Sequence, residues 1–579
     1  MSVETENAVD SKHEDTEQPP AASPPVTAST AVGRTSATER DPISSEKFTF
    51  WLPPNVIVNP FDIVSVGQVN QPDMPRSTTY GLVTLLEHRT DAPNHLANFI
   101  SNNFGELVEV PNTPRQGTTV AFANVLSNNA DIYMPVPSDR LVVFADPAGI
   151  QQALGTDTLI QDRPHDAIPA GLIKMSNGAA TVAYLDRRYV LGPESAHVNI
   201  SGISGLATKT SYAMFLIQSI LQKASDPGKI AVIILNVKQA DLLQIDQDPA
   251  HPPTSEQMRL WEALGLEPRH FTNVRYLLPR GFTSGQPNSY PPVPAIHTTY
   301  AYDLEGTADK LDMLFSNVAD PAGTMEGIYG EIMTGITGRG AEFKNIQSWA
   351  SLLDFLREKG TQGKWRGMFA GSSLGAFRRH LRRIVQTRQT GVFVDSRSTN
   401  EKLLTRELVN IKGGWTYVVD IAKLGDEEQS LVFGDILRTI YAVKAEEAEA
   451  REEKGPVPEK IIIFVDELNK YAPSGARTSP IAQQVLDVAE RGRSLGVILI
   501  SAQQFMSAVH ERVTGNSATK IVGRTGSAEV LQPDYRFLEQ DIRMAVTRLI
   551  KGELLINHAV YRQPVKVIFP LPAYRQEQN

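Results

Sequence analysis

Short apolar runs, separated by stretches of helical period, dominate the chain from residue 197 onwards. Runs of this kind, without alternating polar residues, are typical of strands that are buried on both faces of a parallel sheet. They predict strands over residues 197–201, 230–237, 415–421, 461–465 and 496–501. With helices between them, such strands form an α/β fold with a doubly wound parallel sheet.

The pattern differs in other parts of the chain. Between residues 48 and 154, short apolar runs alternate with Pro, Asn, Asp and Gly, which predicts a small β-barrel or sandwich. The first 45 residues are rich in Ser, Thr, Pro and Glu, and we expect a disordered tail there. The stretch between Asp241 and Ile411 is too long for one connection and predicts a mostly helical insertion. The predicted division is a tail (1–45), a β-barrel (46–155), an α/β core (156–250 and 411–579) and a mainly helical insertion (251–410).

A glycine-containing loop joins the first core strand to an amphipathic helix. Glycine frees backbone N–H groups to point at phosphate oxygens, and the helix N-terminus adds its positive dipole. This order of strand, loop and helix predicts a phosphate-binding P-loop. The candidate nucleotide contacts are Gly202, Gly205, Thr208, Lys209, Thr210 and Ser211.

Each polar residue of this loop has an expected role. We expect Lys209 to reach the β- and γ-phosphates, Thr210 to hold Mg²⁺ and Ser211 to touch the α-phosphate. The usual pattern is G-x-x-x-x-G-K-[ST], whereas here the glycines stand seven and four residues before the lysine. The loop is one residue longer than the consensus, so by itself it could also be a chance loop.

Two carboxylates follow the apolar run at 461–465. Acids at the C-terminal end of a buried parallel strand lie where such sheets bind their ligands. We expect Asp466 to share Mg²⁺ with Thr210, and Glu467 to polarise the attacking water. Taken alone, the pair could equally be acids in the first turn of a helix. Both motifs together, in this order, indicate ATP binding and Mg²⁺-dependent hydrolysis.

Three further residues are candidates for catalysis. Gln503 ends another apolar strand, where its amide could sense the γ-phosphate or orient water, although a polar residue there could simply begin a loop. Arg491 and Arg493 precede that strand, where a neighbouring subunit's nucleotide could be reached. A delocalised guanidinium suits the charge of the transition state. Either arginine could instead be a surface cation.

Four features, taken in their order along the chain, resemble the HerA/FtsK branch of P-loop ATPases, and HerA most closely. They are the glycine loop, the strand that leads to Asp466 and Glu467, the two arginines, and the strand end at Gln503. Residues 47–150 resemble the small β-barrel before the HerA motor, and Asn236 stands where many relatives carry Asp. The resemblance implies a RecA-like P-loop ATPase core with ATP and Mg²⁺ as its cofactors. It also implies a homo-hexameric ring that moves double-stranded DNA and works with a nuclease or other effector protein.

Composition narrows the remaining function classes. The chain of 579 residues is long enough for two or three domains, and its lack of cysteine excludes disulfides, zinc ribbons and thiol nucleophiles. No apolar run reaches the roughly 18 residues of a membrane span, and the N-terminus lacks a signal pattern. We therefore expect a soluble cytoplasmic protein with no membrane partner. A net charge of −9 argues against general coating of DNA, so any DNA contact should be local.

One basic stretch could make such a local contact. Residues 359–388 contain eight Lys or Arg and no acid. Phe377, Leu381 and Ile384 fall on one helical face, so the other faces are expected to hold four arginines in solvent. This surface could contact phosphates, dock a partner or be an ordinary solvated face. The four arginines are Arg378, Arg379, Arg382 and Arg383.

The interpretation that best fits these observations is a HerA-type DNA translocase or helicase that serves a nuclease in DNA repair or antiviral defence. Two alternatives remain open. One is an ATP-binding scaffold ring that regulates a separate effector. The other is a secretion or conjugation motor, which the lack of a membrane span disfavours.

Overall fold

The computed structural model describes residues 31–68, 77–107, 116–203, 209–283, 285–320, 322–387, 390–445, 456–475 and 479–576. Within these ranges the chain forms a closed β-barrel, one large sheet with helices on both faces, and a helical region that packs on one of those faces. The predicted fold class is confirmed.

The barrel consists of antiparallel strands in the order β1-β2-β5-β4-β3-β6. Inward-facing apolar side chains such as Phe48, Phe50 and Val142 fill it. The predicted tail is too long, because residues 31–35 form the first barrel strand, in which Val32 and Thr35 are buried. Because the side chains of this strand are small and its surroundings are rich in Ser and Thr, the sequence shows no apolar run there. The strands are β1 (Ala31–Thr35), β2 (Lys47–Leu52), β3 (Ile63–Gly67), β4 (Thr78–Thr90), β5 (Gly117–Asn128) and β6 (Leu141–Phe144).

The large sheet has 13 described strands in the order β15-β12-β11-β16-β10-β17-β18-β9-β19-β20-β21-β7-β8. The first nine strands of this order, from β15 to β19, are parallel, and the last four are antiparallel. Its strands are β7 (Ala167–Lys174), β8 (Ala180–Asp186), β9 (Ala196–Ser201), β10 (Ile230–Asn236), β11 (Val274–Pro279), β12 (Thr298–Tyr300), β15 (Glu401–Lys402), β16 (Thr416–Asp420), β17 (Lys460–Asp466), β18 (Val497–Gln503), β19 (Ser517–Val522), β20 (Glu553–His558) and β21 (Val565–Ile568). A separate hairpin joins β13 (Lys364–Trp365) and β14 (Phe369–Ala370).

Alternate residues of the central strands enter two different cores. Ile462 and Phe464 of β17 pack into one core, whereas Ile461 and Ile463 pack into the other. This explains why the strands read as continuous apolar runs, since both faces of a parallel sheet are covered.

Helices cover both faces. Helix α5 packs into the first core, and α11 and α12 pack into the second. The described helices are α1 (His95–Ser101), α2 (Pro147–Leu154), α3 (Asp157–Asp162), α4 (Arg187–Val190), α5 (Lys209–Lys223), α6 (Ser255–Ala263), α7 (Thr324–Thr337), α8 (Trp349–Thr361), α9 (Gly371–Arg382), α10 (Leu404–Val409), α11 (Asp426–Lys444), α12 (Pro480–Leu495), α13 (Glu511–Asn516), α14 (Ser527–Val530) and α15 (Gln540–Val546). None of them combines the length and apolar character that crossing a membrane requires.

The predicted insertion is less separate than expected. Strands β11, β12 and β15 fall inside residues 251–410 and extend the parallel sheet. Helices α7, α8 and α9 share the second core with the sheet, through side chains such as Trp349 and Phe377. A buried ion pair between Lys310 and Asp435, 3.2 Å apart, ties the region to α11. The insertion therefore completes one face of the core.

Candidate nucleotide-binding site

The predicted site residues lie at one edge of the sheet, where β9, β10, β17 and β18 end. Neighbouring β17 and β18 are in register, with Asp466 opposite Ala502. Gln503 lies opposite Ser201 at the end of β9. Because these strands are parallel, their C-terminal ends place the carboxylates, the amide and the start of the glycine loop at the same edge.

The chain leaves β9 through Gly202, whose φ of +153° is a conformation that L side chains rarely adopt. A Cβ at this position would lie 3.2 Å from the Cα of Gly523, so the backbones approach closely there. Gly205 and Thr208 lie outside the described residues. The expected phosphate contacts of the loop therefore remain predictions.

Helix α5 begins at Lys209, as the P-loop pattern predicts. Lys209 and Ser211 are both buried. Burial lowers the pKa of Lys209, and the nearby Lys238 ammonium lowers it further, while the Asp466 carboxylate raises it. Because an ammonium in this position is poorly hydrated, it is well suited to bind an anion.

Thr210 and Asp466 meet directly. The Thr210 Oγ1 hydroxyl donates a hydrogen bond to Asp466 Oδ2 over 3.1 Å. Asp466 is buried, and its other oxygen, Oδ1, accepts the Glu467 backbone N–H over 2.9 Å. The two oxygens that were predicted to hold Mg²⁺ are thus adjacent.

Glu467 projects from the end of β17 in a strained backbone conformation. Its φ of 58° and ψ of 45° lie in the left-handed region, which is uncommon for a residue other than glycine. Of the Glu467 side chain, 48% is exposed, against 4% of the Asp466 side chain. The exposed carboxylate is accessible to water and the buried one is not.

Lys238, which the sequence did not single out, completes the group. Its Nζ lies 3.1 Å from Asp466 Oδ2 and 2.9 Å from Glu467 Oε1. Burial lowers the pKa of Lys238, but the two carboxylates outweigh this effect and hold its pKa above the ordinary value. The only signal for it in the sequence was its place two residues after β10.

Gln503 is fully buried at the same edge. Its Nε2 donates to Asn199 Oδ1 over 2.7 Å, and Asn199 Nδ2 donates to Ser501 Oγ over 3.2 Å. Gln503 Oε1 is buried and accepts no hydrogen bond from the described residues. The amide is thus bound to the neighbouring strand on one side and has an acceptor still available on the other.

Arg491 and Arg493 lie at the opposite edge of the sheet. They belong to the last turns of α12, just before β18 begins, and Arg493 Nη1 donates to the Glu194 carbonyl over 2.6 Å. Gln503 is the last of the seven residues of β18, so the strand alone sets it roughly 20 Å from the end of α12, at 3.3 Å per residue. Neither guanidinium can reach the site of its own chain.

The basic stretch is more neutralised than expected. Phe377, Leu381 and Ile384 are buried as predicted. The expectation that all four arginines lie in solvent is wrong for Arg378, which is partly buried and donates to the Leu353 carbonyl over 3.0 Å. Arg383 is exposed as predicted, but it lies 2.7 Å from Glu427. Helix packing brings in acids that the local sequence lacks.

Arg379 and Arg382 are also exposed. Elsewhere in the stretch, Lys359 pairs with Glu342 over 2.7 Å, and Arg366 pairs with Glu331 over 3.2 Å. Acidic side chains therefore balance part of the positive charge of this stretch.

In the described part of the chain, no cluster of three or more His, Asp or Glu side chains could hold a metal. Thr210 and Asp466 offer two oxygen ligands, which matches the way proteins hold Mg²⁺, because substrate phosphates and water supply the other ligands. The residues present therefore fit a magnesium ion that arrives with a nucleotide.

No family model matches the chain, and no curated protein matches it in sequence. Among solved structures, the bacterial conjugative coupling protein TrwB is 12% identical, with a TM-score of 0.41 over 66% of this chain and 87% of that chain. TrwB in complex with the ATP analogue ADPNP is 13% identical, with a TM-score of 0.42 over the same shares of the two chains. The genome packaging NTPase B204 from Sulfolobus turreted icosahedral virus 2 is 14% identical, with a TM-score of 0.21 over 29% of this chain and 72% of that chain. These likenesses are too slight to support a function, which has to be argued from the site itself.

Proposed function

We propose that the chain is a Mg²⁺-dependent ATPase. The observation that carries the proposal is the meeting of Lys209, Thr210 and Asp466, with Glu467 beside them, at the C-terminal edge of a parallel sheet. Phosphoryl transfer to water uses groups of these kinds. They are a buried ammonium, a hydroxyl bonded to a buried carboxylate, and an exposed carboxylate.

Each of these residues has a distinct task. The Lys209 ammonium binds the β- and γ-phosphate oxygens and neutralises their charge. Thr210 Oγ1 and Asp466 hold Mg²⁺, which supplies Lewis-acid stabilisation of the phosphates when bound. Glu467 accepts a hydrogen bond from the attacking water and orients it. Gln503, whose Oε1 has no other partner among the described residues, is placed to sense the γ-phosphate.

The experiment compares Glu467→Gln with Asp466→Asn. Glu467→Gln keeps the shape but loses the charge, so ATP should still bind while hydrolysis falls by about 10²–10⁴-fold. Asp466→Asn should weaken Mg²⁺-dependent nucleotide binding. Glu459→Gln is the control, because this exposed acid lies just before the same strand, at the opposite edge of the sheet. Wild-type hydrolysis by both site variants would refute the proposal.

We further propose that the ATPase forms a homo-hexameric ring that translocates double-stranded DNA for a nuclease or other effector, in DNA repair or antiviral defence. The resemblance to HerA supports this step. The placement of Arg491 and Arg493 is consistent with it, because neither reaches the site of its own chain, whereas both lie at the end of the sheet that a neighbouring subunit's nucleotide could face. In such a ring, one of these arginines would complete the adjacent site.

Negative-stain imaging and ATPase assays, each with and without linear duplex DNA, test the ring and its substrate. A six-membered ring whose ATPase activity rises with DNA is the expected result. A ring that binds ATP but ignores DNA would instead favour the regulatory scaffold. A monomer with full activity would refute the ring.

A further inference from the structure

Lys238 bridges the two acidic residues of the site. Its ammonium lies within 3.1 Å of Asp466 Oδ2 and 2.9 Å of Glu467 Oε1. Charge-assisted hydrogen bonds at these distances are stronger than neutral ones. The contact therefore links a buried carboxylate to an exposed one through a single cation.

The local fold fixes the position of Lys238. Ile234 pairs with Phe464 across β10 and β17, so Asn236 is level with Asp466 two residues later. Asn236 Nδ2 then donates to the Gln239 carbonyl over 2.7 Å and thereby closes a turn around Lys238. Gln239 adopts a φ of 40°, which keeps this turn tight.

The turn is also anchored to the next strand. Asn236 Nδ2 lies 2.7 Å from Asp420 Oδ1, at the end of β16. Asn236 Oδ1 accepts the backbone N–H of Leu242 over 3.4 Å, on the far side of the turn. These bonds hold the backbone at Lys238 beside the end of β17, so that the side chain needs no rearrangement of the sheet to reach the carboxylates.

One oxygen carries two of the contacts. Asp466 Oδ2 accepts the Thr210 hydroxyl and the Lys238 ammonium, each over 3.1 Å. A magnesium ion held by Thr210 and Asp466 needs oxygen ligands at about 2.0–2.1 Å in near-ideal octahedral geometry. An ammonium on the same oxygen repels such an ion and competes for the same lone pairs.

We propose that Lys238 is a positioning residue, which holds the Glu467 side chain beside Asp466 and competes with Mg²⁺ for the Asp466 carboxylate. The inference rests on the proposed ATPase function, because it assigns Mg²⁺ to Asp466. When Mg²⁺ binds, Lys238 leaves Asp466 and keeps its bond to Glu467. Lys238 thus ties the orientation of Glu467 to occupation of the metal site.

The experiment titrates the full chain with Mn²⁺, in the absence of nucleotide, by isothermal calorimetry. Lys238→Met keeps the length of the side chain and removes its charge, so Mn²⁺ should bind about tenfold more tightly. Lys238→Arg keeps a cation and should restore the weaker binding. Lys229→Met is the matched control, because Lys229 flanks the other end of β10 and pairs with exposed Glu459.

A second readout separates positioning from stability. In Lys238→Met, the Mg²⁺ concentration that gives half-maximal ATP hydrolysis should fall, and kcat should fall as well, because Glu467 loses its partner. Lys238→Gln serves in place of the methionine variant if that variant does not fold. Unchanged Mn²⁺ affinity in a folded variant would overturn the inference.

The two proposals can fail separately. If the wild-type protein neither binds nor hydrolyses ATP, the proposed function fails, whereas the Mn²⁺ titration still measures competition at Asp466. If the wild-type protein is an ATPase and Lys238→Met matches it in Mn²⁺ affinity and in Mg²⁺ dependence, only the assignment of Lys238 fails.

Discussion

Acid should destabilise this fold through two buried histidines. His197, at the start of β9, accepts the Leu499 backbone N–H at Nδ1 over 2.9 Å. His558, at the end of β20, accepts the Asp186 backbone N–H at Nε2 over 3.0 Å. Burial lowers the pKa of each histidine from 6.5 to about 4. Protonation would therefore cost burial energy and a backbone hydrogen bond.

The sign and size of the effect follow from linkage. Above pH 6.5 both histidines are neutral in the folded and the unfolded chain, so their contribution is fully present. As the pH falls from 6.5 towards 4, only the unfolded chain takes up the protons, and stability is lost. At pH 5 the loss is about 2 kcal/mol for each histidine, or about 4 kcal/mol for both.

Urea denaturation at pH 7.5 and pH 5, followed by circular dichroism, measures this loss. His197→Asn is the sharpest variant, because asparagine tolerates the left-handed φ of 71° and its Oδ1 can accept the Leu499 N–H. In His558→Gln, the Oε1 atom can accept the Asp186 N–H. Each variant should lose about half as much stability as the wild type between the two pH values. If both variants lose as much as the wild type, the histidines are not the cause.

Three further predictions concern the proposed activity. Lys209→Met should abolish ATP hydrolysis and weaken nucleotide binding while the circular dichroism spectrum is unchanged; normal hydrolysis would place the nucleotide elsewhere. Arg493→Ala or Arg491→Ala, mixed into wild-type rings, should lower ATPase activity more than in proportion to its fraction, because fingers of this kind contribute about 10³–10⁵ in rate; a proportional loss would mean that the arginine does not act on a neighbour's nucleotide. Arg379→Gln should reduce DNA stimulation and the salt dependence of DNA binding without changing the melting temperature; Arg383→Gln should lower the melting temperature, since it removes the ion pair with buried Glu427, and the reverse pattern would refute this division.

The central strands could be predicted from the sequence because burial on both faces leaves a continuous apolar run. The predicted strand at 461–465 matches β17 (Lys460–Asp466) to within one residue at each end. Strands β12 and β15 have three and two residues, and so leave no such signal. The same limit explains why the insertion was expected to be mainly helical.

The candidate site could be predicted only in part. Thr210 and Asp466 are 256 positions apart, yet the two motifs correctly paired them because each ends or follows a strand of the same sheet. Lys238 belongs to no motif, and its contact with Asp466 depends on the register between β10 and β17. Likewise, Arg383 contacts Glu427 only because two helical segments pack together, and the spacing of residues along the sequence does not predict that packing.

The position of β9 in the sheet has a consequence for how the protein folds during its synthesis. This strand leads into the glycine loop, but it is flanked by β18 and β19, and its partner residues lie about 300 positions later in the chain. During synthesis, β9 and the start of α5 emerge long before either neighbour exists, and an unpaired apolar strand is prone to pair wrongly. Both neighbours of β9 are complete only after residue 522 has left the ribosome, so a truncated chain that ends before β18 should expose β9 and aggregate.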